Sequence, residues 1–338
     1  MDAIMQWGIG VVLAVQGLGG LEGIMEVFTF LGTEEFFLLL LPALYWCVDA
    51  ALGARLAVVL ITSSALNALF KLVFHLPRPY WIDARVDTLS AETSYGLPSG
   101  HAQNAVAVWG FLARQASRAW IWIAALALIF FISLSRLYLG VHFPTDILGG
   151  WVIGGGLLWA LVRWERSASA WLRGLGLWPQ IGLAFAVSMV YLALTAGILA
   201  AIAPAPDPAA WETTAAAEAP PDEGEPAIDP RAPEGSVNSA GTLLGLGAGL
   251  ALMAHPSGVR FDARGLWWKR VLRFVAGLIG VLFFWRGLDL VFPSDPFLVG
   301  MAFRYVRYAL TVFWVLYLAP WVFVKTRLAE AIIQEEGI

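Results

Sequence analysis

The chain has 338 residues, of which 59% are hydrophobic and 14% charged, with a net charge of −4. Soluble domains carry about 25% charged residues, so this chain lacks the polar coat that a soluble fold requires. The acidic balance excludes a nucleic-acid binder held by a basic surface, and the single cysteine, Cys47, excludes an internal disulfide framework and a thiolate metal cluster. Seventeen tryptophans and 34 glycines suit a lipid environment, where aromatics anchor at interfaces and glycine permits close helix contact.

A membrane span needs about 20 mostly apolar residues. The first stretch, Ala3–Gly20, is uncharged but holds Gln6, Gln16 and several glycines, so it is expected to span or to lie in the interface. Apolar runs follow at Glu34–Ala51, which contains Pro42, then at Gly53–Lys71, His101–Ala116, Ala119–Ser135 and Phe143–Val162. Further runs occur at Pro179–Ala203, Ala240–Ala254, Val271–Val291 and Tyr308–Val324. The expected fold is all-α, a polytopic transmembrane bundle of about nine spans, within a range of roughly eight to ten.

Threading these runs alternately places Arg55, Arg114, Arg118, Arg163, Arg166 and Arg173 on one side, with Arg260, Arg264, Lys269, Arg270, Lys325 and Arg327. The positive-inside rule makes that side cytoplasmic. The other side receives residues 204–238, a Pro- and Ala-rich stretch whose many acids, from Asp207 to Glu234, face a single Arg231. Such composition predicts a disordered acidic external loop. The chain thus divides into N-terminal interfacial or spanning helices (1–33), a core (34–176), an additional span (177–203), the acidic loop (204–238) and a C-terminal transmembrane appendage (239–338).

Three stretches inside the core carry chemistry. Lys71, Arg78 and Pro79 end the second span, Pro98-Ser99-Gly100-His101 opens the third, and Ser135-Arg136 with His142 and Asp146 joins the fourth to the fifth. Alternating spans bring all three to one membrane boundary. Lys71, Arg78 and Arg136 set three cations where charge is costly, so they need an anionic partner. The protein acids nearby are Asp83, Asp87, Glu92 and Asp146. A phosphate dianion fits better, because two guanidinium forks match its oxygens. Ser99 supplies a hydroxyl, Gly100 lets the backbone approach closely, and the N–H groups opening the third helix point at the same anion. His142 and Asp146 stand at i, i+4, with Pro144 suited to the first helical turn. Asp146 can therefore accept from one imidazole nitrogen and leave the other free to attack, while His101 is a donor to a leaving oxygen. His75 lies between Lys71 and Arg78 with no catalytic role expected, and His255 lies in the basic cytoplasmic turn.

The pattern Lys71-x6-Arg78-Pro79, Pro98-Ser99-Gly100-His101 and Ser135-Arg136-x5-His142-x3-Asp146 resembles the type 2 phosphatidic acid phosphatase family, which shares its site with vanadium haloperoxidases and bacterial acid phosphatases. The resemblance covers about Gly53 to Trp164. It implies the family's six-helix catalytic core and hydrolysis through a phosphohistidine, without metal or other cofactor. His142 would be the nucleophile, Asp146 its orienting group and His101 the acid–base; Lys71, Arg78, Ser99, Gly100 and Arg136 would cradle the phosphoryl group. The segment Leu31-Gly32-Thr33-Glu34-Glu35-Phe36, with Tyr45-Trp46, is similar to sphingosine-1-phosphate phosphatases.

The implied substrate is a lipid phosphate or diphosphate: undecaprenyl diphosphate, phosphatidic or lysophosphatidic acid, phosphatidylglycerol phosphate or a sphingoid-base phosphate. The other readings are a phosphoryl or headgroup transferase, and a transporter or scramblase with a vestigial site. Tyr80 and Trp81 are expected at interface depth, where they would guide the lipid chain or anchor the protein. The expected setting is a bacterial inner membrane with the site on the extracytoplasmic side and no nucleic-acid partner. In the appendage, Arg286 with Asp289 and Arg304 with Arg307 are i, i+3 pairs; Asp289 is expected to pair with one of the arginines while the rest snorkel, or Arg304 or Arg307 receives the headgroup, or the bundle forms a homo-oligomer contact.

Overall fold

The computed structural model describes residues 3–116, 118–220, 226–256 and 258–332. Helices account for the described residues' regular structure, with one isolated bridge between Phe261 and Ala331. In chain order they are α1 (Ala3–Gln16), α2 (Glu22–Phe30), α3 (Glu34–Cys47), α4 (Ala50–Phe74), α5 (Pro79–Ile82), α6 (Gly100–Gln115) and α7 (Ala119–Tyr138). There follow α8 (Pro144–Arg173), α9 (Leu177–Ile202), α10 (Ala209–Glu218), α11 (Glu234–Ala254), α12 (Trp267–Leu282), α13 (Phe297–Phe313) and α14 (Ala319–Lys325).

Among the described residues, seven helical stretches are long and apolar enough to cross a membrane, and an eighth arises if α2 and α3, bent by 48°, form one span. The sequence suggested about nine, and the difference lies in shorter helices. α6 has 16 residues and carries Gln103 and Asn104, while α1 has 14. The expected run Glu34–Ala51 is interrupted at Asp49, whose carboxylate accepts from the Leu52 N–H at 2.9 Å and starts α4 as an N-cap.

The residues form two compact units that interleave along the chain instead of following the contiguous division expected from the sequence. The first comprises Met1–Phe37, Ser63–Val162 and Thr195–Ala232. Its core joins Ile9 and Val12 of α1 to Leu72, Tyr80, Trp81, Tyr95, Val141 and Phe143. Gly8 permits the close approach of α1: a Cβ there would stand 2.6 Å from the Phe143 ring.

The acidic stretch is not the disordered loop that its composition predicts. α10 lies within it, and Ala215, Ala227 and Ile228 are buried in the first unit's core. Trp211 lies 6.1 Å from Trp81, ring to ring. The Glu212 carboxylate accepts from the N–H groups of Ala227 at 2.9 Å and Ile228 at 3.2 Å. Composition counts such acids as solvating groups, whereas Asp207 and Glu212 are consumed by internal partners, and the apolar residues find a prebuilt surface to cover. Asp222, Glu223 and Glu225 lie outside the described residues. Tyr80 and Trp81, expected at the interface, are fully buried in the core that this stretch joins.

The second unit comprises Leu38–Thr62, Arg163–Leu194 and Pro233–Ile338. Here α11 packs closely on α13 through Gly241 and Gly245, with Gly249 four residues further on; a Cβ on Gly241 would stand 2.5 Å from the Tyr305 carbonyl oxygen. Arg273 is buried and donates to the carbonyls of Asp262, Ala263 and Arg264 at 2.8–2.9 Å. Asp289 pairs with Arg307, and Arg286 instead stacks on Trp285 at 4.7 Å. A π turn at Phe283–Gly287 and a 3₁₀ turn at Leu288–Leu290 change the helical phase, so i, i+3 spacing no longer marks one face.

Candidate active site

All the candidate residues fall in the first unit, each set by a helix end. Arg78 lies between Pro77 and Pro79, and the residue before a proline avoids the α region. It therefore adopts an extended conformation as the N-cap of α5. Ser99 caps α6, its hydroxyl accepting from the Ala102 N–H at 3.5 Å, and its own N–H donates to the Asp146 carbonyl at 3.0 Å. α7 closes at Gly140, whose φ of +74° suits glycine, with Val141 N–H donating to the Arg136 carbonyl at 3.2 Å. Beyond that turn, the Asp146 carboxylate accepts from the Phe143 N–H at 2.8 Å and lies 3.2 Å from His142 Nδ1. Asp146 thus caps α8 and orients the imidazole with one oxygen.

The cations converge. Arg78 is wholly buried, and its Nη1 lies 3.0 Å from the Val141 carbonyl and 3.4 Å from His142 Nε2. Its Nη2 contacts Glu92 Oε2 at 3.4 Å, and Arg136 Nη2 contacts Glu92 Oε1 at 2.5 Å. Lys71 Nζ donates to Ser94 Oγ at 2.7 Å, which also receives Arg78 Nη2 at 3.1 Å. Arg136 also donates to Thr29 Oγ1 at 2.5 Å. His101 Nε2 is buried with no hydrogen-bond partner among the described residues, and the ring lies within electrostatic reach of Arg136, Glu92 and Lys71. Gly32 makes room for it: a Cβ there would stand 2.6 Å from the imidazole.

Several supporting residues escaped the sequence reading. Asn67 donates to the Pro98 carbonyl at 3.2 Å and to Gln103 Oε1 at 3.0 Å, and Gln103 donates to the Ser63 carbonyl at 2.7 Å. These side chains pin the Pro98-Ser99-Gly100 turn, with Gly100 packed against Asn67. Glu92 is more than a nearby acid, since it bridges two guanidinium groups, and Ser94 receives two of the cations. A polar residue on a helix flank was the available signal for Asn67 and Gln103. A loop acid has no comparable periodicity.

The electrostatics follow from this geometry. Burial pushes the Glu92 carboxyl up, but Arg78, Arg136 and Lys71 together outweigh it and hold the group well below the carboxylate range. Burial first, then Arg78, Arg136 and Lys71, hold the His142 imidazole well below its ordinary value. The ring is neutral at neutral pH. With Nδ1 donating to Asp146, Nε2 carries the lone pair, which faces Arg78 Nη1 at 3.4 Å. Both shifts have one consequence for stability. Below about pH 6.5 an unfolded imidazole takes a proton that folded His142 refuses, and below about pH 4.3 an unfolded carboxylate takes one that folded Glu92 refuses. The unfolded chain then binds more protons, so stability falls with pH through both windows. The expected result is that the melting temperature falls less between pH 7 and pH 4 in Glu92→Gln than in the wild-type protein; an equal or larger fall in the variant contradicts it.

Known proteins place the chain. Residues 52–169 match the PAP2 superfamily, and residues 237–331 match the PAP2 superfamily phosphatase transmembrane extension. Mouse (Mus musculus) glucose-6-phosphatase 3 is 30% identical over 198 residues, 50% of this chain and 57% of that protein. Mouse sphingosine-1-phosphate phosphatase 2 is 32% identical over 151 residues, 41% of this chain and 43% of the other. Phosphatidylglycerophosphatase B of Bacillus subtilis is 30% identical over 158 residues, 42% of this chain and 74% of the other. The chain therefore spans little more than half the length of the mouse glucose-6-phosphatase 3, but about three quarters of the bacterial relative. On the family match and that coverage, this integral membrane protein belongs to the PAP2 superfamily.

Proposed function

We propose that the protein is a membrane phosphatase acting on a lipid phosphate or diphosphate through a phosphohistidine on His142, without a metal ion. The observation that carries this reading is His142 itself: a buried neutral imidazole, Nδ1 on Asp146, with Nε2 3.4 Å from the Arg78 guanidinium. In the first half-reaction His142 Nε2 attacks phosphorus. The bond from phosphorus to the leaving oxygen breaks, and that oxygen takes a proton from His101. In the second half, water attacks phosphorus, the P–N bond breaks, and His101 takes the water's proton. Lys71, Arg78 and Arg136, with Ser99 and Gly100 at the N-terminus of α6, hold the phosphoryl oxygens. The three cations supply the charge that a metal would otherwise bring to phosphoryl transfer.

A lipid substrate is supported by the site's position at the ends of apolar helices, and by the relatives named for sphingosine-1-phosphate and phosphatidylglycerophosphate. The positive-inside pattern supports an extracytoplasmic opening. The test is phosphate release by the detergent-purified protein, with and without chelator. The panel comprises phosphatidic acid, phosphatidylglycerol phosphate, a sphingoid-base phosphate, undecaprenyl diphosphate and glucose 6-phosphate. Chelator-insensitive, vanadate-inhibited release from a lipid is expected. Activity restored only by magnesium contradicts the metal-free mechanism, preference for glucose 6-phosphate contradicts the lipid assignment, and no release leaves the transporter reading standing.

A further inference from the structure

Lys71, Arg78 and Arg136 sit on separate segments, and one short loop touches all of them. The Glu92 carboxylate bridges Arg78 and Arg136, Ser94 Oγ accepts from Lys71 and Arg78, the Ser94 carbonyl accepts from Arg78 Nε at 2.6 Å, and the Tyr95 carbonyl accepts from Arg78 Nη2 at 3.3 Å. A loop with so many polar contacts to buried cations determines where those cations point, provided that the loop itself is fixed. One anchor is Tyr80, whose hydroxyl donates to the Glu92 carbonyl at 2.9 Å and accepts from the Glu92 N–H at 3.0 Å.

The other anchor comes from the acidic stretch. The Tyr95 hydroxyl is 2.9 Å from each Asp207 carboxylate oxygen and accepts from Arg231 Nε at 3.0 Å. Arg231 closes the set: Nε lies 2.8 Å and Nη2 3.0 Å from the Asp207 oxygens, and the guanidinium also donates to the carbonyls of Ile202 at 3.0 Å and Ala205 at 2.7 Å. A backbone bond runs in parallel, Asp229 N–H to the Thr93 carbonyl at 3.1 Å. Burial and the neighbouring Asp207 outweigh Arg231 and push the Tyr95 hydroxyl up to about 12, so it remains a donor across the working range.

We propose that residues 204–220 and 226–232 are a positioning element of the active site, latching the loop Glu92–Tyr95 through the Tyr95–Asp207–Arg231 cluster so that the loop holds Lys71, Arg78 and Arg136 in register for a phosphoryl group. The proposal rests on reading those cations as a phosphate cradle. It gives the acidic stretch a task other than that of a passive linker. Asp207 is consumed by Arg231 and Tyr95, so its charge is not offered to the incoming anion. Tyr95, Asp207 and Arg231 touch no substrate and act through the loop.

The test uses the full-length protein in detergent, with steady-state hydrolysis of the best lipid phosphate, vanadate inhibition and thermal melting on each variant. Tyr95→Phe removes one hydroxyl and leaves the Asp207–Arg231 pair in place. The expected result is a rise of about tenfold in both KM and the vanadate inhibition constant at near-unchanged melting temperature, the scale of one lost hydrogen bond to a charged group. Arg231→Ala should raise both constants further, and Arg231→Lys, which keeps a cation beside Asp207, should return part of the loss. A lowered melting temperature with unchanged KM and vanadate constant in Tyr95→Phe and Arg231→Ala overturns the proposal and leaves the cluster purely structural. If the wild-type protein turns over and binds vanadate but all variants match it, the latch alone fails. If the wild-type protein neither hydrolyses a phosphate ester nor binds vanadate, the cradle reading fails and the latch falls with it.

Discussion

Replacing His142 with alanine is expected to lower kcat by at least about 10,000-fold, because removal of a nucleophile leaves only positioning and electrostatic stabilisation. The hydroxyls of the neighbouring Ser94 and Ser99 are already engaged, Ser94 Oγ by Lys71 and Arg78, and Ser99 Oγ in capping α6. The buried cations are untouched by the substitution, so inorganic phosphate should still inhibit within a few-fold of its wild-type constant. Asp146→Asn is the companion variant. It removes the charge that stabilises the imidazolium and changes the tautomer, and the loss should reach about 10,000-fold where the geometry follows a triad. Asp146 also caps α8, so its melting temperature must be read beside its rate. Near-normal turnover in His142→Ala contradicts the mechanism.

His101→Ala carries the second large effect, one that depends on the substrate. General acid catalysis contributes about 100- to 10,000-fold, and its share grows with the basicity of the leaving oxygen. A lipid alkoxide needs the proton, whereas an activated aryl oxide leaves without it. The expected result is a loss near the upper end of that range for the lipid phosphate and a much smaller loss for an aryl phosphate, measured as kcat/KM on the same preparation, since kcat also contains the dephosphorylation step that both substrates share. Equal losses on both substrates contradict the acid role. His101 Nε2 is buried with no hydrogen-bond partner among the described residues, and Gly32 leaves the ring its space.

What the sequence disclosed, and what it hid, follows from range. The three motifs lie at helix ends, where local rules act: Pro79 and Pro144 begin helices, Ser99 caps one, and Gly140 supplies a left-handed turn. Those rules, with alternating spans, bring the motif residues into one unit before any tertiary contact is known. The roles of Glu92 and Ser94 depend on cations that are separate in sequence, and no periodicity in a loop reports such a contact. The acidic stretch misled because composition describes an isolated chain, while Trp211, Ala215 and Ile228 cover a core built by other segments. Asp289 is expected from the sequence to pair with one arginine, and that arginine is Arg307, in a later helix, which spacing along the chain does not single out.

The central claim is a covalent bond from phosphorus to His142, and trapping it is the most direct measurement. Wild-type protein and His101→Ala would be mixed with radiolabelled lipid phosphate and quenched in alkali, since a phosphohistidine is stable to base and labile to acid. Proteolysis and mass spectrometry then locate the label. The account predicts label on the peptide carrying His142, and slower decay of that label once formed in His101→Ala, because the water that resolves the intermediate loses its base. A protein that turns over while carrying no label on His142 at any quench time, with the label passing straight to water, contradicts it.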